Sequence, residues 1–156
     1  MKLLSRTDEH LLFELSEVED VFLQLTLSSF PVCKEGWPDG GSVTTDATPA
    51  PDAALLQEAL REAKEIHRKK LDTFFIKQPL AEADTTTRLL NIPTEDIEWL
   101  LQVVNEIRIG SWYALGCPTE EEENGLEDNP AQAPHLVRFE FSGWLLSLLL
   151  DAIKPT

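Results

Sequence analysis

Cysteine is nearly absent from this chain. The two that occur, Cys33 and Cys117, lie far apart and neither has a CxxC partner. That excludes a disulfide framework and a zinc ribbon, and leaves reduced thiols suited to a cytosol, so a cytoplasmic protein is expected. Basic residues are also scarce: 13 Lys and Arg face 28 Asp and Glu, a formal charge of -15. Such a surface repels phosphate backbones and anionic lipid, which argues against nucleic acid and membrane partners. Only three histidines occur, His10, His67 and His135. None has a second His or Cys at i+3 or i+4, so a helical metal pair is missing. No GxGxxG or P-loop surrounds the glycines of PDGGS, and no cofactor is expected. The run Glu120 to Glu123 lacks the alternating ligands of a calcium loop and reads as a solvated charge run, so no metal is expected either. Long hydrophobic runs are lacking as well. Phe141 to Ile153, FSGWLLSLLLDAI, falls short of the about 20 residues of a membrane span and contains Asp151. The opening MKLLSRTDEH turns polar after Leu4 and offers no secretory core. No fixed-period repeat is present.

What is present is the composition of an ordinary globular chain. With 156 residues, 42% of them hydrophobic and 26% charged, one domain over residues 1–156 is expected. KLLSR and HLLFEL, flanking TDE, read as an antiparallel hairpin within residues 2–15. Ser16 and Glu19 form a capping box for a first helix from about Glu17 to about Ser29, with Val18, Val21, Phe22 and Leu25, together with Leu27, near helical spacing. Residues 34–52, rich in Gly, Pro, Thr and Asp, are expected as a long surface loop that Trp37 pins to the body. A second helix follows over Ala53 to Phe75 with Asp52 as its N-cap and Leu56, Ala59, Leu60, Ala63, Ile66 and Phe74 as its apolar stripe. TTTRLLNI, residues 85–92, is β-branched and suits a third strand beside the hairpin. Pro93 to Asp96 starts a third helix that runs to about Leu115, before Gly116 and Pro118. Residues 118–134 are expected as a second long loop. A last helix from about His135 to Ile153 is apolar nearly all round, with Glu140, Gly143, Ser147 and Asp151 as a narrow polar stripe, which predicts a place at the centre of a bundle. The expected fold is therefore α+β, mostly α, with a four-helix core and a small antiparallel sheet from residues 2–15 and 85–92.

The third helix poses a specific question. At about 100° per residue, Leu100, Val103, Val104, Ile107, Ser111 and Ala114 share its core face. Leu101, Asn105, Arg108 and Trp112 line up on a second face, with Glu106, Ile109 and Tyr113 beside them. A solvated helix back has no need of Leu, Ile, Trp and Tyr, so something should cover this face. One reading is internal: Arg108 pairs with a carboxylate and Asn105 satisfies a neighbouring loop. The other is an interface anchored by Arg108, Trp112 and Tyr113, residue types enriched in binding hot spots.

The run WLLQVVNEIRIGSW, with its quartet Asn105, Glu106, Ile107 and Arg108, and the terminal GWLLSLLLDAI together resemble an uncharacterised bacterial domain family, domain of unknown function number two thousand and seventeen. The resemblance covers mainly residues 93–153. It implies no activity, since the family has none established; some members are encoded beside the adaptor of the Clp protease, which implies a protein-turnover setting. The expectation for function is a soluble, non-enzymatic protein-interaction or adaptor module, able to bind a protein partner or itself, with no catalytic residue assigned. The alternative is a small-molecule enzyme using Glu98 or Glu106 beside Arg108 as acid and base. A third reading, nucleic acid bound through the HRKK cluster at His67 to Lys70, is opposed by the net charge.

Overall fold

The computed structural model describes residues 1–33, 51–76, 86–126 and 128–155. The expected loop at 34–52 and its anchor Trp37 fall almost wholly outside these residues. Strands β1 (Lys2–Arg6), β2 (His10–Ser16) and β3 (Thr87–Pro93) form one antiparallel sheet in the order β1-β2-β3. The alternation of HLLFELS explains why β2 takes the middle: Leu11, Phe13 and Leu15 are buried on one face while the residues between them are only half-buried. Register sets Phe13 opposite Leu3 on β1 and Leu90 on β3.

Helices α1 (Glu17–Ser28), α2 (Pro51–Ile76), α3 (Ile97–Ala114), α4 (Glu120–Leu126) and α5 (Ala133–Ile153) complete the fold, with a 3-10 turn at Thr94–Asp96 leading into α3. The fold is thus α+β and mostly helical, as the sequence predicts. The Ser16 box is formed: Glu19 N–H donates to Ser16 Oγ at 3.3 Å and Ser16 N–H donates to Glu19 Oε2 at 2.8 Å. The main helical contact is α3 against α5, joined to the buried sheet face through Ile107, Val103, Leu145 and Leu149. Two orphan carbonyls of α3's carboxyl end are satisfied in a Schellman motif, Gly116 N–H donating to Tyr113 O and Cys117 N–H to Trp112 O, both at about 3 Å. Gly116, at φ 85, supplies the left-handed residue that the motif needs.

Several expectations need correction. Residues 118–134 are not a continuous loop, because α4 occupies the acidic run. Thr119 N–H and Oγ donate to Glu122 at 2.9 and 3.1 Å, which secures the start of α4 and holds the Glu122 carboxyl below its ordinary pKa. Asp52 lies inside the first turn of α2 rather than capping it. Nor is α5 central: Leu136, Leu145, Leu149 and Ala152 are buried, whereas Val137, Trp144 and Leu150 are exposed. No described helix is long and apolar enough to cross a membrane.

Neither α1 nor α5 has a basic residue in its last turn. Distant arginines serve instead. Arg6, on β1, donates to the carbonyls of Ala152, Ile153 and Lys154, and Arg68, on α2, donates to those of Ser28 and Phe30. Each guanidinium meets the negative end of a helix dipole and its unpaired carbonyls, tying that end to another element. The HRKK cluster is accordingly engaged within the chain. Besides Arg68, Lys70 pairs with Asp96 at 2.6 Å and lies 4.5 Å above the Trp99 ring, Lys69 pairs with Glu65, and His67 is half-buried beside Phe30 instead of solvated.

Candidate functional site

The structure separates the residues of the α3 stripe. Leu101 packs against the core. Asn105 is exposed, and Glu106, Arg108, Ile109, Trp112 and Tyr113 are half-buried. Arg108 does not pair with a carboxylate among the described residues, which corrects the internal reading. Its guanidinium lies over the Phe139 ring, 5.2 Å from the centroid, and against Gly143 of α5, where a Cβ would sit 3.5 Å from Arg108 Nε. Cation–π attraction there is worth about 0.5–2 kcal/mol. Trp112 and Tyr113 meet edge to face at 5.5 Å. Asn105 and Arg108 therefore share no network among the described residues: Arg108 ties α3 to α5, and Asn105 is exposed.

A larger apolar surface lies elsewhere, on the outer face of α1 and α5. Helix α1 is apolar on two sides. Leu23, Thr26 and Leu27 are buried, so Val18, Val21, Phe22 and Leu25, on the opposite arc, are turned outward and exposed. That arc is the apolar stripe that helical spacing in the sequence predicts. Across from it on α5, Val137, Phe141, Trp144 and Leu148 recur at i, i+4, i+7 and i+11, a single stripe about 16 Å long at 1.5 Å per residue. Phe22 stacks on Phe141 at 5.7 Å, and Phe141 meets Trp144 at 5.3 Å, so the two helices share one aromatic ridge.

Each end of this ridge opens into a concavity. Phe22, Leu25, Pro134, Val137 and Arg138 line one of about 470 Å³, and Leu3, Phe13, Trp144, Leu148 and Asp151 line another of about 450 Å³. The first holds an unsettled charge. Arg138 Nε is buried with no hydrogen-bond partner among the described residues, and its Nη2 meets only His135 Nδ1. Desolvation lowers the Arg138 pKa, yet a guanidinium stays protonated, so the group is a cation at the edge of an apolar groove with no anion paired to it among the described residues.

His135 bears the consequence. Burial first, then the positive charge of Arg138, hold its pKa below the ordinary 6.5. The unfolded chain then binds a proton that the folded one resists, so the stability present above 6.5 is lost as pH falls through the lowered folded value. Because the residue is only half-buried, the effect is small. Thermal melting at about pH 7.5 and about pH 5 should show a smaller acid-induced loss for His135→Gln than for the unaltered chain. Equal losses would remove His135 from the acid response.

No family model, no curated protein and no solved structure matches this chain. The sequence reading missed the α1/α5 site because two apolar arcs on one helix look alike before it is packed. The i, i+4, i+7, i+11 stripe of α5 was a legible signal, hidden by the apolar residues all round it.

Proposed function

We propose that this protein is a non-enzymatic protein-interaction module that docks its partner on the outer face of α1 and α5. The observation that carries this reading is the aligned apolar ridge of Phe22, Val137, Phe141 and Trp144, flanked by exposed Leu25 and by Arg138, whose Nε has no partner among the described residues. Contiguous apolar patches of this kind on a single chain mark interaction sites, and Trp and Arg are the residue types that dominate their energetics. The α3 stripe is the weaker surface, since α5 already covers Arg108. An acid/base pair beside Arg108 has little geometric support, because that guanidinium rests on Phe139 and Glu98 is exposed. The resemblance over residues 93–153 adds a setting in protein turnover and no mechanism.

Photo-crosslinking tests the reading. A crosslinking side chain placed at Phe22 or Trp144 in the full-length protein should yield a covalent adduct with a second polypeptide in a lysate. Trp144→Asp should remove the adduct formed from position 22, while circular dichroism stays unchanged. Adducts from position 112 alone would move the interface to α3, and none from any of the three positions would dismiss the interaction reading.

A further inference from the structure

We propose that the occupant of the α1/α5 groove is the amino-terminal half of α2 from a second copy of this chain, so that two copies exchange helices. The inference rests on the interaction reading above and adds the identity of the partner. Helix α2 is seated over only part of its length. Leu71 and Phe74 are buried, Lys70 and Arg68 are held as described, and Lys64 Nζ donates to Cys33 O at 2.8 Å. Upstream of Ala63, residues 52–62 are all exposed.

That overhang does not have the composition of a solvated helix. Leu55 is 70% exposed and Leu56 61%, and Ala53, Ala54, Ala59 and Leu60 accompany them. Leu56, Leu60 and Ile66 belong to the apolar stripe that the sequence predicts for this helix, and the structure leaves all three exposed. Asp52, Leu56, Leu60 and Ala63 recur at i, i+4, i+8 and i+11, one stripe with an acid at its outer end. The groove offers the complement: an apolar trough floored by Phe22 and Val137, closed by Arg138, which pairs with no anion among the described residues. Since both the overhang and the groove stay exposed, neither fills the other within one chain.

A two-fold axis satisfies both at once. Each copy gives one overhang and receives one, the isologous arrangement usual for dimers. The about 1,600 Å² of a standard interface asks about 400 Å² of each of the four surfaces. The amphipathic helix lies in an apolar groove, a common mode of recognition, with Asp52 of one copy opposite Arg138 of the other.

Light scattering on the full chain at rising concentration tests this. The unaltered chain should be a dimer. Leu56→Asp should be a monomer with unchanged helicity, because that side chain is mostly exposed within one chain, and its Tm should no longer rise with concentration. Asp52→Arg and Arg138→Asp should each weaken the dimer by about tenfold or more, and the double variant should recover it. A monomeric unaltered chain, a dimer indifferent to Leu56→Asp, or a charge exchange without recovery would each overturn the helix exchange. A monomer that still crosslinks from position 22 to a different polypeptide overturns the self-partner and leaves the interaction reading standing. A monomer with no crosslink overturns both.

Discussion

Replacing Phe13 with alanine is expected to lower the unfolding free energy by about 3–5 kcal/mol. Phe13 is fully buried on the middle strand, opposite Leu3 and Leu90, where the sheet meets the helices. Truncation removes the transfer free energy of the ring and leaves a cavity that a paired strand cannot collapse to fill. Domains of this size are stable by only about 5–15 kcal/mol, so the variant should melt far below the unaltered chain. Leu12→Ala, one residue away and on the other face of β2, is the control, since Leu12 is only half-buried. Urea denaturation of both variants decides the matter. Comparable losses at the two positions would mean that the sheet lacks a single core face.

The sheet was legible because its signals are local. Alternation in HLLFELS, β-branched residues in TTTRLLNI and the reciprocal Ser16 and Glu19 box act over a few positions, and β3 begins and ends close to the expected limits. Helix α4 carried an equally local signal in Thr119 and Glu122, obscured by the four consecutive glutamates. Like-charged neighbours disfavour a helix in isolation, and here the cap and the dipole at its amino end offset them. The clamps on α1 and α5 could not be read this way. Arg6 and Arg68 are far from the carbonyls they hold, so only the folded chain brings them there.

The site failed to be legible for a different physical reason. Periodicity reveals that a helix has an apolar arc and cannot say which of two arcs is buried. In α1 the packing against β2, α3 and α5 selected Leu23 and Leu27, turning Phe22 and Leu25 outward. The Arg108 stripe misled in the opposite sense. Its residues asked for cover, and α5 of the same chain supplied part of it through Phe139 and Gly143. In both cases the pattern was sound and the tertiary partner decided its meaning.

Gly110→Ala is the substitution in which two effects of opposite sign can be weighed. Alanine is favoured over glycine inside a helix by about 1 kcal/mol, so an exposed glycine in α3 would gain from the change. Gly110 is buried, and a Cβ there would lie 2.8 Å from the Cβ of Val32. That atom is fixed to the backbone and cannot swing aside as the tip of a long side chain can. Either α3 or the segment around Val32 must move, and overpacking of this kind costs about 1–3 kcal/mol. Steric cost outweighs propensity, so a net destabilisation of up to about 2 kcal/mol is expected. A double-mutant cycle with Val32→Gly, read by urea denaturation, isolates the clash. In the Val32→Gly background the alanine should regain much of its helical advantage. If Gly110→Ala is as costly there as in the unaltered chain, the close approach of α3 to Val32 is not what requires glycine.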